Sequence, residues 1–492
     1  MRALAKIAAC LLLCLLCAGV NARITDTQKL VSRYAGKEPL RSGIIGMLAV
    51  RGASDTLLSY NPGKKLLPAS NVKLITTGLA LTSLGPGWRW RTTIACSGEI
   101  RDSVLLGDIY IVGGGDPTTG VGKGCAEPAE ATFGAWRSIL EANGIKSISG
   151  RIIGDPRCVP ASTPDHNPSW QAEDLGFDYG AAPGGLNFYE NIQEFAVWPS
   201  ATGQPPVIRP IYPQVPWMSW TISATTGQAG TPNTLYCVNT SFGPWGEFFG
   251  SFPSDRSNGS FKGSNRFGAW TCAYEFYKYL TASGFEVSGG FGDISPSDFI
   301  RTDLLYSDIG SKAVPTDSLR TLGSTLSPPI AQIIIDTNTE SDNFYAEAML
   351  SALGNRREQI LASMGLPTGN ECSLIDGSGL SRKNYVSPSY LVRFLKAMLK
   401  SKARGPYLAS LPSPGNGTLK NRMPLAPQAT KKRILMKSGS MNGVLCFSGY
   451  ILPVDPKGEM IVFSILTNNV SGPSYAVGMI IDEILLSLAA EQ

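Results

Sequence analysis

Residues 68–74 read Pro-Ala-Ser-Asn-Val-Lys-Leu, and the apolar run from Leu74 to Leu84 predicts a mostly buried helix. Ser70 is expected in the first helical turn and Lys73 three residues later, so both side chains lie on one face. A serine hydroxyl is a poor nucleophile until a base removes its proton, and a lysine is such a base when burial keeps its amine neutral. Without partners elsewhere in the chain, the same pattern is more often a solvated helix start.

The first residues have the features of a secretory signal peptide. A basic start precedes an apolar run over residues 7–19 that is too short to cross a bilayer, and small residues follow at 20–22. We expect residues 1–22 to be removed and the mature chain, without a membrane span, to reach the periplasm or another extracytoplasmic space. An uncleaved anchor and lipidation at Cys17 are the alternatives.

Composition excludes several classes of function. The 492 residues carry a formal charge of +5, which is too mild and too evenly spread to favour nucleic acid as a partner. The one histidine, His166, lies in a loop-like stretch, which makes lysine the natural base for serine chemistry. Seven cysteines follow residue 22 without Cys-x-x-Cys spacing, which argues against a zinc site. An odd number leaves at least one thiol unpaired, and the sequence gives neither the pairing nor the oligomeric state.

The predicted elements fall into three segments. Up to residue 90, a helix over residues 23–34 precedes a hairpin of strands over 42–50 and 55–60. Residues 91–305 are rich in strands, glycine, proline and aromatic residues, and the pattern is helical again from about Pro315. The middle segment has predicted strands Val104–Val112, Ile148–Ile153, Trp217–Ser223 and Thr234–Val238, and helices Phe133–Asn143 and Ala269–Ala282. The last segment has predicted helices Asn343–Leu353, Ser387–Leu399 and Tyr475–Leu488, and strands Ile434–Lys437, Gly443–Leu452 and Met460–Thr467.

This order predicts a mixed α/β (α+β) fold with one antiparallel sheet covered by helices on both faces. The N-terminal hairpin would complete that sheet. The catalytic domain would then be split between residues 23–90 and 306–492, with residues 91–305 looped out as one or two inserted β-rich domains.

A glycine-rich stretch, Gly120-Val-Gly-Lys-Gly124, invites comparison with a phosphate-binding loop. Gly124 stands where that loop has Ser or Thr, and Pro117 stands where it has its first glycine. A turn therefore fits this stretch better.

Two further motifs give the Ser70–Lys73 pair its meaning. Ser341-Asp342-Asn343 leads a predicted helix, and Lys437-Ser438-Gly439-Ser440 ends a predicted strand. Taken singly, the first is typical of a helix cap and the second of a strand-end turn. The ordered set Ser-x-x-Lys, Ser-Asp-Asn and Lys-Thr-Gly is typical of β-lactamases and penicillin-binding proteins. Ser438 replaces the threonine and keeps its hydroxyl.

Each motif residue has a chemical role in such a site. Ser341 would relay a proton between Lys73 and a leaving amine, and Asn343 would hydrogen-bond Lys73 and hold a substrate amide. Lys437 would supply fixed positive charge, which also favours the neutral amine of Lys73.

The strand motif would bind the substrate directly. Ser438 would bind a carboxylate, and Gly439, lacking a side chain, would let the substrate lie against the strand edge. The backbone N–H groups of Ser70 and Ser440 would form an oxyanion hole.

Over nearly its whole mature length, the chain resembles the DacB-type penicillin-binding proteins, D-alanyl-D-alanine carboxypeptidases/endopeptidases of the S13 serine-peptidase family. Besides the three motifs, the resemblance includes stretches over residues 107–117, 376–382 and 417–422. This family places large extra domains between its first two motifs, as the separation of Ser70 and Ser341 requires.

The resemblance implies peptidoglycan stem peptides as substrates, an acyl-enzyme on Ser70, covalent inhibition by β-lactams, and no metal or other cofactor. It also implies that Arg382 and Asp155 help to bind the diamino acid of the stem, with Asn442 lining the same pocket. The match around Asp155 is looser, and a turn residue is the alternative there. A non-catalytic peptidoglycan-binding protein that keeps the fold, suggested by the aromatic insert, and a β-lactamase are the competing functions.

Overall fold

The computed structural model describes residues 25–160, 166–239, 244–294 and 314–492. The expected signal peptide, residues 1–22, lies outside the described residues.

The helices are Asp26–Ala35, Val72–Ser83, Ala129–Ala142, Gly268–Ala282, Ile330–Glu340, Asn343–Leu353, Arg357–Ser363, Pro388–Lys400, Arg404–Ala409, Gln428–Arg433 and Ser474–Ala490. The strands up to residue 155 are Ile44–Arg51, Asp55–Tyr60, Arg91–Cys96, Glu99–Arg101, Val104–Leu106, Ile109–Val112, Ser147–Ile148 and Ile152–Asp155. Those from 192 to 293 are Ile192–Trp198, Val207–Tyr212, Ser219–Ile222, Thr225–Gly227, Tyr236–Asn239, Trp245–Phe249, Ser251–Pro253, Gly259–Ser264, Glu286–Val287 and Phe291–Asp293. The last are Arg320–Leu326, Cys372–Ser373, Tyr385–Val386, Ile434–Met441, Val444–Ile451 and Ile461–Asn468.

One antiparallel five-stranded sheet, which we call the main sheet, joins the two ends of the chain. Its strand order is Asp55–Tyr60, Ile44–Arg51, Ile461–Asn468, Val444–Ile451 and Ile434–Met441. The N-terminal hairpin therefore completes the C-terminal sheet, as predicted. The edge strand Ile434–Met441 carries the lysine motif.

Both faces of the main sheet are covered by helices. Side chains alternate between the two faces along each strand, so neighbouring residues of one strand join different hydrophobic clusters. Val462 and Leu466 join the hydrophobic cluster that contains the helix Val72–Ser83. Phe463 and Ile465 join the opposite cluster, to which the C-terminal helix contributes. The α+β fold class predicted from the sequence is confirmed, and the helix after Ser70 lies in the core against one face of the sheet.

The middle of the chain forms separate sheets. Phe291–Asp293, Ile152–Asp155, Ile109–Val112, Arg91–Cys96 and Arg320–Leu326 build a second five-stranded sheet in that order. Helices Ala129–Ala142 and Gly268–Ala282 bury their apolar side chains in its core. Because Arg320–Leu326 pairs with Arg91–Cys96, the pairing of this region extends past the expected boundary at residue 305. The division at 91 and 305 stays a prediction.

Two strands predicted as continuous are each broken in the structure. Val104–Val112 divides at Gly107-Asp108 and Ile148–Ile153 divides near Gly150, so each predicted segment contributes to two different sheets. The breaks lie together, since the backbone N–H of Gly150 donates to the carbonyl of Gly107 and that of Arg151 to Asp108 Oδ1. These long-range contacts outweigh the local strand pattern.

Within the described part of the chain, every helix is too short or too polar to cross a bilayer.

Candidate active site

Ser70 lies in a single 3₁₀ turn, Ala69–Asn71, directly before the helix Val72–Ser83. Ser70 therefore lies in the first helical turn, as predicted, but that turn is a 3₁₀ turn and the α-helix begins two residues later. Lys73 still reaches it, with Nζ 3.0 Å from Ser70 Oγ. The paired side chains predicted from their spacing are therefore in contact.

Lys73 is fully buried, and its amine is surrounded by oxygen atoms. Nζ lies 2.6 Å from Asn343 Oδ1 and donates to the carbonyl of Ser378 at 2.8 Å. Burial lowers the pKa of Lys73 to about 8, opposed by the charges of the carboxylates nearby. A substantial fraction of the amine is therefore neutral near pH 8, as a base for Ser70 requires.

The second motif lies at a junction between two helices. Ser341 ends the helix Ile330–Glu340 in the left-handed conformation, with φ of 64°. Asp342 then caps the next helix by accepting a hydrogen bond from the N–H of Tyr345 at 2.9 Å. Asn343 is the first residue of that helix. Its Oδ1 faces Lys73, and its Nδ2 donates to the carbonyl of Tyr179.

The Ser341 hydroxyl has no hydrogen-bond partner among the described residues and lines a cavity of about 580 Å³. The proton relay expected of it stays a prediction, since Lys73 is held by other atoms.

The third motif lies within the edge strand Ile434–Met441 of the main sheet, and not at a strand end as expected. The strand continues because residues 434–441 pair without interruption with Val444–Ile451. Lys437 is fully buried, and its Nζ donates to the carbonyl of Ser438. Burial and the nearby charge of Lys73 hold the pKa of Lys437 well below its usual range, and the fixed charge expected there stays a prediction.

Gly439 lets the edge strand approach the Ser70 turn. A Cβ at this position would lie 2.7 Å from the Pro68 carbonyl and 3.0 Å from the Ser70 nitrogen. Ser438 Oγ lies 2.8 Å from Thr418 Oγ1, which forms a pair of hydroxyl groups beside the strand. Ser440 is exposed on the same strand.

A loop outside the three motifs, residues 376–378, lines one side of the site. The carbonyl of Ser378 accepts from Lys73, and Glu347 accepts from the N–H groups of Gly377 at 3.0 Å and Ser378 at 2.7 Å. Asp376 accepts from the indole N–H of Trp170. Glu347 follows Asn343 by one helical turn, which is the only sequence signal that could have found it.

The residues expected to bind the diamino acid are less closely connected to this centre. Arg382 donates from Nε to Gln171 Oε1 at 2.7 Å. Asp155 is fully buried and forms an ion pair with Arg157 at 2.6 Å, so its carboxylate is already occupied. Asn442 is exposed in the turn after the edge strand. Their binding roles stay predictions.

A family model described as D-Ala-D-Ala carboxypeptidase 3 (S13) matches residues 27–297 and 304–481. The chain is 27% identical to the D-alanyl-D-alanine carboxypeptidase of Actinomadura sp. (strain R39), over 92% of this chain and 83% of that protein. It is 25% identical to the D-alanyl-D-alanine carboxypeptidase DacB of Haemophilus influenzae, over 84% and 83% of the two chains.

Solved structures share the fold. Penicillin-binding protein 4 (dacB) of Haemophilus influenzae matches with a TM-score of 0.75 at 20% identity, over 95% of this chain and 99% of that one. The same protein complexed with a β-lactam matches with a TM-score of 0.70 at 18% identity, over the same shares of the two chains.

Proposed function

The chain belongs to the D-Ala-D-Ala carboxypeptidase 3 (S13) family of serine peptidases, and on that premise we propose that Ser70 is its nucleophile, Lys73 its base and the peptidoglycan stem peptide its substrate. One observation carries the assignment of roles. A fully buried amine lies 3.0 Å from the Ser70 hydroxyl and is fixed by two further oxygen atoms.

Acylation follows from this geometry. Ser70 Oγ attacks the carbonyl carbon of the terminal D-Ala-D-Ala bond while its proton passes to Lys73 Nζ. The negative charge that develops on the carbonyl oxygen meets the N–H groups of Ser70 and Ser440. The C–N bond then breaks, and the departing D-alanine amine takes a proton that Ser341 delivers from Lys73.

The edge strand binds the substrate before acylation. The terminal carboxylate of the substrate meets the hydroxyl groups of Ser438 and Thr418, next to the buried amine of Lys437.

Lys73 and Ser70 also complete the cycle. Water then attacks the carbonyl carbon of the acyl ester while its proton passes to Lys73. The ester C–O bond breaks, and Ser70 Oγ receives that proton from Lys73. A D-Ala–diaminoacyl cross-link has the same carbonyl and is cleaved by the same steps.

A β-lactam has a reactive amide and a carboxylate in a comparable arrangement, so it is expected to acylate Ser70 and stay bound. The substrate class requires action outside the cytoplasm, in keeping with the periplasmic location expected from the sequence.

Labelled penicillin and a D-Ala-D-Ala stem peptide test these assignments together. The wild type should gain one penicillin adduct on the peptide that contains Ser70 and should release D-alanine. Ser70→Ala should do neither, whereas Ser83→Ala, at the far end of the helix that follows Ser70, should behave like the wild type.

A Ser70→Ala protein that is still labelled and active would contradict the assignment. Binding of peptidoglycan without labelling or D-alanine release by the wild type would favour the non-catalytic function. Hydrolysis of the penicillin at many turnovers per second would favour a β-lactamase.

A further inference from the structure

The glycine-rich loop Gly120–Gly124, which the catalytic motifs do not include, packs against the second motif. Gly124 has φ of +56°, and a Cβ there would lie 2.2 Å from Asp336 Oδ2 on the helix Ile330–Glu340. The N–H of Cys125 donates to the same oxygen at 2.8 Å. The glycine at 124 therefore lets the loop dock onto this helix, and the docking presents Lys123 to the site.

Lys123 joins two carboxylates from different parts of the chain. Its Nζ lies 2.7 Å from Glu190 and 3.2 Å from Asp342, and each carboxylate side chain is only 10% exposed. The ammonium also lies 6.0 Å from the centre of the Tyr345 ring. A cation at this point offsets the cost of burying two like charges together.

Asp342 connects this ion pair to the catalytic centre. It lies between Ser341 and Asn343, and it caps the helix that carries Asn343. Asn343 Oδ1 in turn lies 2.6 Å from Lys73 Nζ. A displacement of Asp342 therefore moves two proposed catalytic side chains.

We propose that Lys123 is a positioning residue for acylation, which fixes Asp342 between Ser341 and Asn343 and offsets its negative charge beside Lys73. This inference rests on the proposed function, because it needs Lys73 to act as the base.

The charges around the two lysines give the direction of the effect. Lys73 faces the carboxylates of Asp342, Asp376 and Glu347 and the amine of Lys437. Negative charge on Asp342 favours the ammonium form of Lys73, so loss of the compensating Lys123 raises the pKa of Lys73.

The other groups near Lys123 change this little. Burial and the charge of Asp342 raise the pKa of Glu190 while Lys123 lowers it, so loss of Lys123 shifts Glu190 further toward its protonated, neutral form. Burial raises the pKa of Asp178, and the charge of Lys123 lowers it by a smaller amount.

The test measures the rate of Ser70 acylation by labelled penicillin between pH 6 and 9.5 in the full chain. Lys123→Met should react about three- to tenfold more slowly at pH 7, because the acid limb of the profile is displaced upward by roughly half to one pH unit. Lys123→Arg keeps the charge and should restore most of the rate. Lys278→Met is the matched control, because Lys278 pairs at 3.3 Å with the similarly buried Glu275 in the middle of the chain.

A second background separates charge from folding. Asp342→Asn keeps a cap for the helix but removes the charge, so adding Lys123→Met to it should no longer displace the acid limb. A wild-type rate and profile in Lys123→Met, or a slow rate with an undisplaced limb that Lys123→Arg does not restore, would overturn the proposal. A wild type that is not acylated at all would instead overturn the proposed function, and this inference with it.

Discussion

Lys73 combines complete burial with three oxygen atoms within 3.0 Å of its amine. Burial lowers its pKa because a charged amine loses its hydration there, while three carboxylates moderate the shift. The value of about 8 lies close to the pH at which a general base works well. At the scale of single residues, then, the surroundings of Lys73 suit the proposed role of base for the serine beside it.

A pH dependence follows from that pKa. Only the neutral amine accepts the Ser70 proton, so the acylation rate should rise about tenfold per unit below pH 8 and level off above it. Stopped-flow labelling with a penicillin between pH 6 and 9.5 measures this profile, with Lys73→Met as the variant that should lack measurable acylation. A rate that is constant across this range would show that Lys73 is not the base.

At the scale of elements, the edge strand Ile434–Met441 lies in close contact with the turn that carries Ser70. Asn71 Nδ2 donates to the carbonyls of Lys437 and Cys446, both at 3.4 Å, and so ties the turn to the main sheet. Gly439 passes beside this contact with its backbone against Pro68 and Ser70. The spacing between strand and turn thus fixes the width of the site.

Gly439→Ala tests that spacing. Its methyl group would lie within 3.0 Å of backbone atoms, so the strand must move away from Ser70, and the acylation rate should fall at least about tenfold. Gly63→Ala is a suitable control, because a Cβ there meets nothing within 4 Å. Comparable acylation rates in the two variants, measured with labelled penicillin, would show that the strand can shift without cost to the site.

Across the whole molecule, the two ends of the chain form one sheet while the middle forms its own sheets. The seven cysteines from residue 96 onward are all free thiols, so no covalent link joins these parts. Non-covalent contacts hold the middle of the chain against the site, such as the hydrogen bond from Asn343 to Tyr179 and the ion pair of Lys123 with Asp342. Most of the thiols are buried, and burial raises their pKa values.

Thiol titration checks this arrangement. In the native protein, about one thiol should react, the exposed Cys158, and it should react slowly, because burial of its sulfur raises the pKa of Cys158 to about 11. Cys158→Ser should remove that phase, and urea without reductant should expose all seven thiols. Fewer than seven in urea would reveal a disulfide.

Much of the fold and of the candidate site could be predicted from the sequence, because the informative patterns are local. The spacing of Ser70 and Lys73 places them on one turn, and the apolar periodicity gives the helix Asn343–Leu353 its observed bounds. The hairpin and the three C-terminal strands are short, largely apolar segments, two of which are buried along their whole length. Such features follow from neighbouring residues, and tertiary contacts only assemble them.

The tertiary structure alone decided the rest. Ser378 contributes a backbone carbonyl, Lys123 acts through Asp342, and Val104–Val112 breaks where Gly107 meets Gly150. A backbone group has no residue type that marks it, and an ion pair between distant positions leaves no local periodicity. The sequence by itself therefore determined which side chains are candidates for the chemistry, while the fold determined what surrounds them, because burial and hydrogen bonding depend on residues hundreds of positions away.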